Sequence, residues 1–260
     1  MSAWIQCEQL EGGITRLRIN RPEAANALSQ ELLEALADKL QSIKEDGNTH
    51  VVILTAAGNR MFSAGADLKE RAGMNEEEVI AAVAHIKETV NAVASLPQPV
   101  IGALNGSALG GGLELALACD IRIGAHESKY GLPETSLAII PGAGGTQRLA
   151  RLIGPGNAKN LIYTAEMLTG EQAHGLGLLE FCTSIERVEE EALAFAKKLG
   201  KNGPLALRQA KRAIDDGLET NIQAGLEIET KAYQKTVPTN DRLEGIRAFK
   251  EKRSPVYKGE

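Results

Sequence analysis

Through the first 125 residues, short β-branched runs alternate with stretches whose apolar residues recur at helical spacing, and this alternation narrows the architectures open to the chain. Ile14–Ile19 alternates apolar and polar residues like a half-buried strand, and Asn20-Arg21-Pro22 breaks it. Ser29 reads as the N-cap of a helix carrying Leu32, Leu33, Leu36, Leu40 and Ile43. Residues 51–55 read as a buried strand. A second helix, from about Asn75, carries Val79, Ile80, Val83, Ile86, Val90 and Val93 and stops before Pro97. Residues 99–104 and 121–124 read as further strands. Strands separated by helices imply parallel pairing with helical crossovers, an α/β fold.

From about Glu186 the pattern is helical only: Val188–Leu199, Pro204–Leu218, then residues 222–233 and 241–250, punctuated by Gly200, Gly203, Gly217 and Pro238. The reading is an α/β body over residues 1–200 and a helical C-terminal region over 201–260. No internal repeat is visible in the residues themselves. With 260 residues, 43% of them hydrophobic, the chain is long enough for one large core. Only 3% are aromatic, so Leu, Ile, Val and Ala must build that core.

A formal net charge of −5 argues against a dedicated nucleic-acid binder, which would present a basic face. Cys7, Cys119 and Cys182 lack metal-ligand spacing and sit in apolar or strand-like settings, so buried thiols in a reducing compartment are expected. The N-terminal segment, Met1 to Glu8, does not read as a secretory or transit leader, and no run of about eighteen apolar residues occurs. The expectation is a cytoplasmic protein with no membrane span.

The chemistry concentrates in two segments about twenty residues apart. Asn105-Gly106-Ser107-Ala108-Leu109-Gly110-Gly111-Gly112 opens an apolar helix over residues 113–119 that contains Glu114, and Gly131-Leu132-Pro133-Glu134 follows. A buried carboxylate is costly unless paired, neutralised or used. A helix start bare of Cβ atoms exposes backbone N–H groups to anything that approaches. Donors for a developing oxyanion beside two candidate acid/base carboxylates point to chemistry at an acyl carbonyl. Taken singly, Glu114 could merely complement its helix dipole, and Glu134 could be a solvated loop residue. The segment from Met61 to Leu68 could let a ligand approach its backbone, or be an ordinary loop capped by Asp67. The glycine runs match neither a dinucleotide loop nor a P-loop, no Gly-x-Ser-x-Gly elbow occurs, and His50, His85, His126 and His174 are scattered.

On these residues the chain resembles the crotonase, or enoyl-CoA hydratase/isomerase, superfamily. The likeness runs through Asn20-Arg21-Pro22, Asn26-Ala27-Leu28, Phe62-Ser63-Ala64-Gly65-Ala66-Asp67-Leu68, the Asn105-to-Glu114 segment and Cys119-Asp120-Ile121-Arg122. It continues through Gly131-Leu132-Pro133-Glu134 and residues 140–149, and covers essentially the whole chain. The tail, residues 238–245 and 249–253, looks most like the branch containing methylglutaconyl-CoA hydratases, one eukaryotic member of which is known as an AU-rich RNA-binding protein.

The resemblance implies a spiral core of repeated ββα units and a C-terminal helical trimerisation region, assembled as a homotrimer or a dimer of trimers. It implies an acyl-CoA thioester substrate and no metal or redox cofactor, coenzyme A being part of the substrate. Carried over residue by residue, the N–H groups of Ala66 and Gly111 would hold the thioester oxyanion, and Glu114 and Glu134 would be the acid/base pair. Ala24, Ala25, Ala64, Ala66, Asp67, Leu68, Gly110 and Gly111 would contact the CoA thioester, with Phe249 and Lys252 closing over it from a neighbouring subunit. Glu23 departs from the Lys of some hydratases, which puts a phosphate contact there in doubt. Both glutamates together form the hydratase pattern, with short-chain enoyl-CoA or 3-methylglutaconyl-CoA as substrate, and disfavour an isomerase. In the RNA-binding relative the helix after the first motif is lysine-rich. Here residues 31–46 carry two lysines against five acidic residues, which disfavours RNA affinity.

Overall fold

The computed structural model describes residues 4–260; Met1, Ser2 and Ala3 of the N-terminal segment read above lie outside the described residues. β1 (Ile5–Leu10) and β2 (Ile14–Ile19) pair antiparallel, and α1 (Gln30–Glu45) follows. Three units of two strands and a helical segment come next. The first is β3 (Val51–Ala56), β4 (Met61–Ser63), the one-turn α2 (Leu68–Arg71) and α3 (Glu76–Ala94). The second is β5 (Val100–Leu104), β6 (Ser107–Leu109) and α4 (Gly111–Leu117). The third is β7 (Ile121–Ala125), β8 (Lys129–Gly131), a 3-10 turn (Pro133–Leu137) and α5 (Gly145–Ile153). After α6 (Pro155–Thr164), β9 (Leu168–Thr169), α7 (Gly170–Gly175) and β10 (Phe181–Thr183), the chain is helical: α8 (Val188–Leu199), α9 (Pro204–Leu218), α10 (Ile222–Thr236) and α11 (Asn240–Glu251).

Each unit gives its first strand to a six-stranded sheet ordered β1-β2-β3-β5-β7-β10 and its second to a smaller sheet ordered β4-β6-β8-β9. The result is a spiral of ββα turns, as the resemblance implied. The plain βαβ reading missed β4, β6 and β8 because each has only three residues, too few for a period-2 signal. The repeat is one of pairing geometry, so no residue-level repeat betrays it.

All six residues of β3 are buried because helices cover both faces of the large sheet. Val52 and Leu54 pack with Leu32, Leu36 and Val90 on one side, while Val51 and Ile53 pack with Val188, Ala192 and Ala196 of α8 on the other. The caps read from sequence form: Ser29 Oγ accepts from the Leu32 N–H at 3.4 Å, and Asn75 and Glu78 make a reciprocal capping box. Between units, buried Asn105 accepts from the Ala56 N–H at 3.2 Å and donates to the carbonyls of Ala56 and Gly58. That side chain locks the exits of β3 and β5 together just before the glycine run.

The expectation of three buried thiols fails at two positions. Cys119 is buried, but Cys7 is exposed and Cys182 is half-buried. The physical reason is sheet position: β1 and β10 are the two edge strands, so each has one side in solvent.

Helix α9 is fastened to the body by Arg208, which donates to the Thr49 carbonyl at 2.9 Å, and by Lys211, which pairs with Asp120 at 2.8 Å. Helix α10 packs along α9. Together they leave Ile214, Leu218, Ile222, Leu226 and Tyr233 exposed, with Leu218 at 77% and Ile222 at 80%. Leu205, Leu207 and Ile228 are half-buried.

Candidate active site

Two backbone segments meet where β4 and β6 end. After Ser63 the chain turns through Gly65, whose φ of +85° is the left-handed region glycine tolerates without cost. A Cβ on Gly65 would stand 2.8 Å from both the Gly111 nitrogen and the Leu109 carbonyl oxygen. Only glycine permits this approach. Leu28 bridges Ala66 in parallel, its N–H donating to the Gly65 carbonyl at 2.8 Å. A parallel bridge bonds one residue to the neighbours of its partner, so the Ala66 N–H stays outside that pairing. Gly111 is the first residue of α4, and its N–H therefore has no acceptor within the helix. A Cβ on Gly111 would lie 3.5 Å from the Ala66 nitrogen, so the two amides stand side by side.

Glu114, in the first turn of α4, is only 3% exposed. Its Oε1 accepts from the N–H groups of Ala143 at 2.7 Å and Gly145 at 2.8 Å, on the loop entering α5. Arg148 of α5 holds that loop, donating to the Ala143 carbonyl at 3.2 Å and to Asn91 Oδ1 on α3 at 2.8 Å. Burial pushes the Glu114 carboxyl above the ordinary range. The N–H donors of Gly145 and Ala143, and the charges of Arg148 and Arg71, oppose that rise.

Glu134 reaches the same place from the third unit. Leu109 pairs with Gly131, and the Gly110 N–H donates to the Gly131 carbonyl at 2.9 Å, which sets the following 3-10 turn against the glycine run. Glu134 Oε1 lies 3.2 Å from where a Cβ on Gly110 would stand. Its Oε2 is buried and, among the described residues, has no hydrogen-bond partner. The solvated-loop reading of Glu134 therefore fails. Burial pushes this carboxyl up to about 7, and the negative charge of Glu114 acts in the same direction.

The other segments singled out in the sequence gather at this rim. The Ala64 N–H donates to the Ala25 carbonyl at 3.0 Å, beside the 3-10 turn Pro22–Ala24. Asp67 caps α2 through the Lys69 and Glu70 N–H groups and pairs with Arg21 at 2.6 Å, so its capping role is real and the same carboxylate ties the two loops together. Leu68 opens α2 and is exposed. Phe249, 85% exposed, and Lys252 stand at the end of α11, and no hydrogen bond or ion pair among the described residues joins either to this rim. Beside Ala66 a cavity of about 590 Å³ opens toward α2 and α3, with Leu28, Leu33, Met74 and Ile86 in its wall and Arg71 at its side. Sequence reasoning missed Arg71, Arg148 and the donors Ala143 and Gly145. For the donors the available signal was Gly142-Ala143-Gly144-Gly145, tested as a nucleotide loop and counted in the family likeness but given no role for its N–H groups.

Comparison with known proteins then decides the family. The family model described as enoyl-CoA hydratase/isomerase matches residues 9–260. The chain belongs to the enoyl-CoA hydratase/isomerase family. It is 54% identical over 243 residues to a Bacillus subtilis protein named for enoyl-CoA hydratase/isomerase, covering 94% of each chain. It is 48% identical over 259 residues to human mitochondrial methylglutaconyl-CoA hydratase, covering 97% of this chain and 76% of that one. The crystal structure of an enoyl-CoA hydratase from Bacillus anthracis superposes with a TM-score of 0.97 at 53% identity, covering 99% of this chain and 100% of that one. The crotonase fold expected from the resemblance is thus the fold of this family member. Among its described residues, no helix is long and apolar enough to cross a membrane, and no three His, Cys, Asp or Glu side chains group as a metal site would require.

Proposed function

We propose that this enoyl-CoA hydratase/isomerase family member adds water across the 2,3-double bond of a 2-enoyl-CoA thioester. The observation that carries the reading is the pair of unlike carboxyl groups beside two convergent amides. Glu114 is held by two N–H donors, whereas Oε2 of Glu134 has no partner among the described residues and burial pushes that carboxyl up to about 7. Two carboxyls whose environments separate their protonation states suit one base and one acid. The thioester oxygen would sit between the Ala66 and Gly111 N–H groups. As hydroxide character adds to the β-carbon, charge moves onto that oxygen as an enolate. Fixed donors stabilise this charge more than the ground state, and one such donor contributes roughly 3 kcal/mol. Glu114, ionised, takes a proton from the attacking water. Glu134 gives its proton to the α-carbon as the enolate collapses back to the thioester. The sum is one water added, with one proton to be returned from Glu114 to Glu134 through solvent. The reading needs no metal or redox cofactor.

Loss of the enoyl-thioester absorbance, followed with crotonyl-CoA and longer enoyl-CoA thioesters, tests this directly. No turnover on any 2-enoyl-CoA would sink it. The same assay has a predicted pH dependence. Glu114 must be ionised, so kcat/KM falls as pH drops through its raised pKa. Glu134 must be protonated, so kcat/KM also falls as pH rises past about 7. The two limbs belong to the coupled pair. Arg148→Ala removes a charge that lowers the Glu114 pKa, so the acid limb should move to higher pH; an unmoved limb would show that Arg148 acts only on folding.

For assembly, we propose a homotrimer or dimer of trimers built on α9 and α10. The support is the apolar row Ile214, Leu218, Ile222, Leu226 and Tyr233, too contiguous to be idle surface. Such an assembly would let Phe249 and Lys252 of one copy reach the CoA phosphates bound by another. Light scattering at micromolar concentration should give about three or six times the 27.7 kDa chain mass. A fully active species at the mass of one chain would overturn it.

A further inference from the structure

Arg21 sits in a turn to which the proposed chemistry gives no task, yet it touches both segments of the bridge that carries the Ala66 amide. Its backbone is fixed by Asn26. The Arg21 N–H donates to Asn26 Oδ1 at 2.9 Å, and the buried Asn26 side chain donates to the carbonyls of Ala57 at 3.0 Å and Met61 at 2.7 Å. The turn after β2 is thereby pinned to the exit of β3 and the start of β4. The guanidinium is fixed in its turn. Nη1 donates to Asp67 Oδ2 at 2.6 Å and to the Ala27 carbonyl at 3.3 Å, and the group stands 5.7 Å from the centre of the Trp4 ring. Only 19% of the Arg21 side chain and 7% of the Asp67 side chain are exposed, so solvent screens the pair little. Arg21 thus joins residue 27 to residue 67, each one step from a partner in the Leu28–Ala66 bridge.

We infer that Arg21 is a positioning residue for the oxyanion: through two successive peptide planes its guanidinium aims the Ala66 N–H. A trans peptide unit points its C=O and its N–H in opposite directions, and no cis peptide bond occurs among the described residues. The Ala27 C=O and the Leu28 N–H are the two ends of one such unit. The Gly65 C=O and the Ala66 N–H are the two ends of the next in line. Arg21 holds the Ala27 carbonyl, and the Leu28 N–H holds the Gly65 carbonyl at 2.8 Å. The Ala66 N–H must then point away from Leu28. The bond to Asp67 fastens the residue that follows Ala66, so the second peptide plane is tied on both sides. A bond donated by a guanidinium is charge-assisted, and hydrogen bonds in series polarise one another in a low-dielectric interior. Aim and polarisation both favour a donor that meets developing negative charge. The inference rests on the hydratase reading only for what that amide holds, a thioester oxygen.

Two measurements on the whole protein test this, with Arg21→Met and Arg21→Gln as neutral variants and Arg21→Lys as the conservative one. The first is kcat and KM with crotonyl-CoA. A donor mis-aimed rather than removed loses part of its hold on the transition state. The neutral variants should therefore lower kcat by about tenfold or more and leave KM within about twofold. Arg21→Lys should recover part of the loss, since it keeps the charge but not the planar donor geometry. The second is the infrared stretch of an isotope-labelled thioester carbonyl in bound butyryl-CoA, which is saturated and cannot react. In the wild type that stretch should lie below its frequency in water, and the neutral variants should move it back toward the solution value. A residue that only holds the fold would lower the melting temperature and leave the stretch in place. An unmoved stretch in whichever neutral variant folds would overturn the inference, and so would an unchanged kcat. A stretch that depends on Arg21 in a protein that hydrates no 2-enoyl-CoA would uphold the alignment of the amide and sink the hydratase reading instead.

Discussion

Replacing either glutamate by glutamine is expected to lower the hydration rate by about two orders of magnitude or more, with the fold intact. Glutamine keeps the length and planar shape of the side chain and removes only proton transfer. At residue 114 its amide oxygen can still accept from the Ala143 and Gly145 N–H groups, which hold Oε1 of the glutamate at 2.7 and 2.8 Å. Near-wild-type turnover by either variant would end that residue's assignment. Glu134→Gln carries a second, independent consequence. The folded-state pKa of Glu134, about 7, lies above the value near 4.3 of an unfolded glutamate. Stability is therefore fully present below the unfolded value and is lost as pH rises through about 7, where the buried group must ionise. Glu134→Gln should thus raise the melting temperature at pH 8 and leave it nearly unchanged at pH 4. A variant less active yet more stable at pH 8 is the signature of a carboxyl buried for chemistry rather than for folding.

Gly112→Ala is expected to have the largest effect on stability. A Cβ on Gly112 would stand 2.3 Å from the Ser63 carbonyl oxygen and 2.8 Å from its carbonyl carbon, both main-chain atoms of β4 that cannot rotate away. Either α4 or the end of β4 must shift, and forcing bulk into a close-packed core typically costs about 1–3 kcal/mol, with rigid neighbours at the upper end. Because α4 carries the Gly111 amide and Glu114, any folded fraction should also be nearly inactive. Gly111→Ala is the control: its Cβ meets nothing nearer than 3.5 Å, so the fold should survive it. Equal denaturation midpoints for Gly112→Ala and the wild type would show that the close approach is not needed for packing.

The limits of the sequence show at particular residues. The longer local signals were legible. β3 and β5 are uniform apolar runs, α1 and α3 announce themselves by spacing and by the caps Ser29 and Asn75, and α8 to α11 fall within a few residues of their expected bounds. Family motifs singled out Glu114, Glu134, Ala66 and Gly111. Nothing local, however, distinguishes a Glu134 in solvent from one pressed against Gly110. That placement depends on β6 pairing with β8 across some twenty residues. Cys7 and Cys182 were misjudged for the same reason, since a strand's residues do not say whether it lies at the edge or the centre of its sheet.

By itself the sequence determined where the longer helices and central strands form, and which carboxylates and glycines could serve an acyl carbonyl, because hydrophobic periodicity, caps and backbone permissiveness act over a few residues. The tertiary structure decided what those groups became. Two amides converge only because Gly65 lets β4's exit touch the start of α4. Glu114 and Glu134 differ because one receives N–H donors from a loop thirty residues on, while the other has its Oε2 buried with no partner among the described residues. Burial and electrostatic neighbourhood are properties of the packed chain, summed over segments far apart in sequence, and no short stretch of residues encodes them.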